Sequence, residues 1–248
     1  MPRLLHTPLC IPAALACVGL LPQAHADETL TLYYLERPPF IGTNEQGDVD
    51  GLTAEPVERA LKRAGIPYTW VKMPWNRQLA LLQANQGKAC GTLFYKTAER
   101  QRWGRFSVPI YLDTPLVFVT RANYELKEKR FIEVMRNKAH RFLVKERVAS
   151  VPELRAALQD AKSHTITTYY ETSEMLDMLR RGIGDVVVVP GEEARYLFEQ
   201  QGGAISGLRL WALADMPKGE HRHLLCTQSV PEEWMERINA HISLSSKR

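Results

Sequence analysis

The chain has 248 residues, 45% hydrophobic and 24% charged, which is enough apolar content for one large or two small folded domains. Its formal charge of +4 comes from basic residues interleaved with acids. A nucleic-acid binder would gather them into a stripe, so only a mild preference for anionic solutes follows.

Residues Met1 to Ala26 carry one charge, Arg3, then an apolar run through Leu20-Leu21, then Ala24-His25-Ala26. A basic end, a short hydrophobic segment and a small-x-small site read as a cleaved secretory signal peptide, with the mature chain starting at Asp27. Cys17 lies in a poor lipidation box, so a soluble periplasmic product is expected. No other stretch is long and apolar enough for a transmembrane helix, and membrane insertion is not expected.

Leu30 to Leu35 alternates as a strand, and Pro38-Pro39 ends it in an extended turn before Phe40. Asn44 to Gly51 imitates a calcium loop but lacks its closing Glu at the required spacing, so it reads as a turn. Leu52 to Gly65 has helical apolar spacing closed by Gly65, Ile66 to Val71 alternates as a strand, and Met73-Pro74-Trp75-Asn76-Arg77 leads into a helix ending near Gln86. Cys90 and Cys226 remain once the signal peptide is gone, each in an apolar extended run. An even pair in an oxidising compartment is usually a disulfide, with free buried thiols as the alternative.

Gly91 to Tyr111, GTLFYKTAERQRWGRFSVPIY, carries the most information. An apolar strand ends at Tyr95-Lys96-Thr97, Ala98-Glu99-Arg100 opens a polar helical turn, and Phe106 to Tyr111 returns to extended structure. A guanidinium at such a strand end presents a rigid fork of donors that matches a carboxylate, and Thr97 is placed to cap the turn. The order of strand, Thr-x-Glu-Arg turn and Phe-Ser-x-Pro-x-Tyr resembles the family 3 extracellular solute-binding proteins, periplasmic receptors that deliver polar amino acids to ABC importers.

The resemblance implies an α/β fold of the type II periplasmic binding protein kind, with two lobes, each a mostly parallel sheet flanked by helices, and two hinge crossings. It implies that Arg100 clamps a ligand α-carboxylate, with Thr97, Lys96 and Tyr95 beside it. By the same resemblance Tyr34 lays its ring over the ligand, with Glu36 and Phe40 near it, and Trp75 and Arg77 face the cleft from the next helix start. The expected layout is residues 27–119 and 216–248 in the first lobe and 120–215 in the second.

In the second lobe, helix-like Phe131 to Met135 is followed by a strand from His140 to Val144. Ser150-Val151-Pro152-Glu153 reads as a capped helix start whose free N–H groups suit an anion, which makes Ser150 a further ligand contact. A strand from Thr165 to Tyr169, a helix from Ser173 to Gly182 and a strand from Asp185 to Val189 then form a crossover unit of a parallel sheet. Family members place an ammonium-holding Asp just past the last strand, whereas this chain has Pro190, followed by Gly191-Glu192-Glu193. Leu208 to Leu213 leads back, and Val230 to Ile242 reads as an amphipathic final helix with no kinase, cyclase or membrane module expected after it.

The function expected from the sequence is lobe closure on a small carboxylate-bearing solute for an ABC permease, by a monomer without cofactor. The scattered histidines offer no metal site, and no catalytic residue is assigned. Two rivals stand beside this reading. One is a sensor that reports to a membrane receptor. The other is a dehydratase on the same scaffold, with Glu36, Glu171 or Glu193 as its acid or base.

Overall fold

The computed structural model describes residues 29–146, 152–161, 164–200 and 207–244. The expected signal peptide and Ser150 lie outside the described residues. In chain order the first lobe forms β1 (Leu30–Tyr34), a hairpin of β2 (Gly42–Thr43) and β3 (Val49–Asp50), α1 (Ala54–Ala64), β4 (Tyr68–Lys72), α2 (Trp75–Gln83), β5 (Ala89–Tyr95), α3 (Ala98–Gln101), β6 (Arg105–Phe106) and β7 (Tyr111–Leu112). The chain then crosses to β8 (Leu116–Arg121), α4 (Phe131–Arg136), β9 (Phe142–Lys145), α5 (Pro152–Ala161), β10 (Thr165–Thr168), α6 (Thr172–Arg180), β11 (Val186–Pro190), α7 (Gly191–Gln200) and β12 (Leu208–Trp211). It returns through β13 (His221–Cys226) and ends in α8 (Glu232–His241).

Two sheets result, one per lobe. The first runs β4-β1-β5-β13-β6, with β7 also on β13, and the second runs β10-β9-β11-β8-β12. Within each sheet the strands joined by helical crossovers are parallel, as in β4-β1-β5 and β10-β9-β11. The strands that carry the chain between lobes, β8 and β13, pair antiparallel to their neighbours. Each sheet thus combines the expected parallel crossovers with antiparallel returns, because a chain that crosses back without a helix arrives pointing the other way. The division expected after Val119 also moves: β8 lies wholly in the second sheet, so the crossing precedes Leu116.

Local sequence explains the elements that position the cleft. α1 turns Val57, Ala60, Leu61 and Ala64 into the first core, and Gly65 ends it in the left-handed conformation at φ 62°, its N–H reaching the carbonyls of Leu61 and Lys62. β11 is a run of valines because both of its faces are covered, one within the core around Phe118 and the other against Leu176 and Leu179. Asn44 to Gly51 closes the β2–β3 hairpin as an ordinary turn, with Asn44 Oδ1 accepting the N–H groups of Gln46 and Asp48. Among the described residues no group of three or more metal-ligating side chains occurs.

Cys90 on β5 and Cys226 on β13 lie opposite one another and form a disulfide, bridging residues 136 apart in sequence. A cross-link that closes so long a loop removes much of the entropy of the unfolded chain. Cys90→Ser with Cys226→Ser should lower unfolding stability by about 2–4 kcal/mol, read from denaturant melts, and reductant should shift the wild-type curve toward the variant. Coincident curves would show that the bridge adds nothing to this fold.

Candidate functional site

The first lobe lays down a buried charged floor. Arg222 enters from β13 and donates from Nε to Asp113 Oδ1 at 2.6 Å and from Nη2 to Asp113 Oδ2 at 2.7 Å. Its guanidinium lies 4.0 Å from the Phe40 ring centroid and 4.9 Å from that of Tyr95. Burial pulls its basicity down, yet Asp113 and Tyr95 more than offset this, so the cation is permanent. The Tyr95 hydroxyl donates to Asp113 Oδ2 at 2.6 Å, and burial pushes its acidity well above the ordinary tyrosine range.

Arg100 stands next to this floor under different terms. Thr97 is the N-cap of α3 and its hydroxyl accepts the Arg100 N–H at 3.2 Å, which fixes the turn. The guanidinium of Arg100 donates from Nη1 to the Tyr95 carbonyl at 3.0 Å and lies 5.4 Å from the Phe94 ring centroid. Trp75, at the start of α2, stacks on the same Phe94 at 4.4 Å. Burial lowers the basicity of Arg100, with Glu99 working the other way, and among the described residues Arg100 is in no ion pair. It lines a chamber of about 200 Å³ together with Arg37, Trp75, Tyr95, Glu146 and Arg222.

Opposite, the second lobe supplies acids that already have partners. Glu193, on the first turn of α7, accepts from Arg37 Nε of the first lobe at 2.5 Å and from the Thr172 hydroxyl, with Lys145 Nζ at 4.0 Å. Burial alone would raise the Glu193 carboxyl, but Arg37 and Lys145 hold it down to about 2. Lys145 closes β9 and reaches Glu171 at 2.5 Å, and burial depresses its basicity. Glu192, one residue earlier, accepts the Tyr111 hydroxyl at 3.0 Å and the Thr114 N–H, and burial beside Asp113 raises its carboxyl. Two successive glutamates thus tie α7 to the first lobe and to the crossing segment.

Tyr95, Arg100 and Trp75 come together at the chamber, with Thr97 capping the turn that carries Arg100. Lys96 and Arg77 are exposed and lie outside its lining. Glu36 sits at the cleft rim, bonded to the Thr43 hydroxyl at 2.7 Å and paired with Lys72 at 2.8 Å. Two placements need correction. Tyr34 packs in the first-lobe core, edge-on to Trp70 with its hydroxyl on Thr43, and lies outside the chamber lining. Phe40 is fully buried, packed in the first-lobe core beneath the Arg222 guanidinium. Sequence reasoning missed Arg37, Lys145, Glu146 and Arg222. The available signal was a lone charge inside or ending an apolar run, as in Phe142 to Lys145 and His221 to Cys226.

Residues 31–223 match the sequence pattern of the bacterial extracellular solute-binding proteins, family 3. The chain belongs to this family. Among solved structures, this family 3 protein is similar to an ancestral arginine-binding protein bound to arginine, at 20% identity and TM-score 0.69, over 88% of this chain and 92% of that one. It is similar to arginine-bound ArgBP from T. maritima in its Gly52Ala form, at 18% identity and TM-score 0.65, over 86% of this chain and 93% of that one. A histidine kinase sensor domain resembling periplasmic binding proteins matches at 14% identity and TM-score 0.67, over 86% of this chain and 88% of that one. Likeness at this level of identity establishes the two-lobed fold. No curated protein matches in sequence.

The bridge across the lobes yields a stability test. Glu193→Gln leaves Arg37 and Lys145 buried beside a neutral amide and should cost about 3–5 kcal/mol in denaturant unfolding at neutral pH. Because the folded carboxyl is depressed, its contribution is complete above the unfolded value of about 4.3 and is lost as pH falls toward about 2. The gap between wild type and variant should narrow over that window, and a gap independent of pH would rule out ionised Glu193 as its cause.

Proposed function

We propose that this family 3 protein is a periplasmic receptor that closes its lobes on a small, amino-acid-like carboxylate and presents it to an ABC importer. The observation that carries the reading is Arg100. It is a half-buried guanidinium at the cleft, anchored on one side by a backbone carbonyl and a ring, with no ion pair among the described residues. A buried or half-buried cation without a counter-charge is costly, and a ligand carboxylate accepting two of its N–H groups relieves that cost. Family membership and the arginine-binding proteins that share the fold support a polar amino acid or a close relative as the solute. Trp75 stacked on Phe94 gives the chamber an apolar wall against which the rest of such a ligand can lie.

The carboxylates that a dehydratase would need are already engaged: Glu36 with Thr43 and Lys72, Glu171 with Lys145, and Glu193 with Arg37 and Thr172. Those engagements favour a binding role over acid–base catalysis. A sensor is the second reading, favoured by the bridges of Arg37 to Glu193 and Tyr111 to Glu192, which join the lobes through protein groups alone. The sensor-domain neighbour shares that two-lobed fold. Recovery of a permease or of a membrane receptor with the tagged protein separates the two.

Ligand discovery by thermal shift, over amino acids, dicarboxylates, small peptides and aromatic acids, should give a hit that raises the melting temperature of the mature protein. Arg100→Ala should weaken that ligand by about 1.5–3 kcal/mol, roughly 10- to 150-fold in Kd, the range for a hydrogen bond to a charged group. Unchanged affinity would remove Arg100 from the site.

A further inference from the structure

Three guanidiniums of the first lobe line the same chamber of about 200 Å³: Arg37 just past β1, Arg100 on α3 and Arg222 on β13. They differ in how much of each fork is already used. Arg222 spends Nε and Nη2 on Asp113 and Tyr95, and its Nη1 reaches the Leu93 carbonyl only at 3.5 Å. Arg100 spends Nη1 on the Tyr95 carbonyl. The Arg37 side chain is 5% exposed, yet among the described residues its one side-chain hydrogen bond runs from Nε to Glu193. Both of its amino groups, Nη1 and Nη2, are left without a protein acceptor, and buried donors of that kind are costly until something fills them. The backbone holds this fork in place: the Arg37 N–H donates to the Ile41 carbonyl at 2.8 Å, and the Arg37 carbonyl accepts the Phe40 N–H at 3.0 Å.

We propose that Arg37 receives a second acidic group of the ligand, so that the chamber takes a small dicarboxylate with one carboxylate on Arg100 and the other on the free amino groups of Arg37. This assignment deepens the receptor reading and rests on it. Both acids are then held by one lobe, and Glu193 of the other lobe keeps its hold on Arg37 through Nε. Glu193 is itself shared with Lys145 Nζ at 4.0 Å and with the Thr172 hydroxyl, so it does not draw on Arg37 alone. Around the cleft the cations Arg37, Arg100, Arg222 and Lys145 stand against three partnered acids, Glu193, Asp113 and Glu171. Glu146, the acid on the chamber lining, is exposed, and water screens its charge more than that of the buried guanidiniums. A planar fork of donors selects a carboxylate over the amide of the same shape, which offers one weaker acceptor and turns its own N–H groups toward the fork. The chamber is smaller than the usual pocket for a drug-sized ligand, which suits a short chain between two acids.

The test titrates the mature protein calorimetrically at pH 7 with diacids and their monoamides: succinate with succinamate, L-aspartate with L-asparagine, and L-glutamate with L-glutamine. In at least one pair, wild type should bind the diacid tighter by about tenfold or more, the range for a charge-assisted hydrogen bond. Arg37→Gln should bind the two members of that pair within about threefold of each other, and Arg37→Lys, which keeps a cation for Glu193 but not the planar fork, should lower the preference by at least about threefold. If Arg37→Gln does not fold, Arg37→Lys decides alone. Equal binding within every pair by wild type overturns the proposal and leaves the carboxylate receptor intact. A preference undiminished in the Arg37 variants overturns it as well. Equal weakening of both members by these variants, with their preference kept, assigns Arg37 to the shared carboxylate and also overturns it. If no diacid binds while a monocarboxylate does, and Arg100→Ala abolishes that binding, the proposal fails and the receptor stands. If no carboxylate binds at all, both fail together.

Discussion

The two lobes meet through charges buried deeply enough to need one another. The bridge between Arg37 and Glu193 is the clearest case: the Arg37 side chain is 5% exposed and that of Glu193 4%. Either charge left buried without the other is costly, so the second lobe is placed where Glu193 and Arg37 can touch. Lys145, Thr172 and Glu171 then follow, since each is aimed by the same carboxylate cluster. The net strength of such a bridge is modest, because parting the lobes returns both ions to water and recovers much of the solvation lost on burial. The arrangement therefore fixes how the two lobes meet.

Ligand coupling follows from the same charges. A solute shifts the balance between open and closed lobes only by the difference in its contacts with the two states. In this cleft Arg100 is presented by the first lobe and flanked by Trp75 and Tyr95, while the opposite wall carries acids. A ligand that touches both walls gains contacts on closure, which is the condition for a hinge to respond to it.

Much of this was legible in the sequence, and the reasons for success and failure are physical. The turn around Thr97 and Arg100 is local: a capping hydroxyl, a short helical turn and a strand end depend on residues close in the chain, so the pattern places Arg100 at the cleft directly. Helices such as α1 announce themselves through apolar spacing and a closing glycine. Tyr34 and Phe40 were harder, because the core that covers Tyr34 on β1 and the Arg222 that lies over Phe40 come from segments distant in the chain. Arg222 was invisible for a related reason. Its partner Asp113 lies 109 residues earlier, and the two are joined only by the antiparallel return of β13. The mixed sheets and the start of β8 in the second lobe likewise depend on how the chain crosses, which no local pattern records.

The disulfide has a consequence for the molecule as a covalent object. Cys90 lies on the outgoing course of the first lobe and Cys226 on its return, so the bond closes a ring that contains all of β8 to β12. The second lobe is thereby an insertion within a closed loop and no longer a bead between two free ends. A protease that nicks the chain anywhere in that lobe leaves both fragments joined, and they part only when a reductant opens the ring. In an extracytoplasmic space, where peptidases are met more often than strong reductants, a receptor built this way keeps its parts together through a cut that would dismantle an unlinked chain.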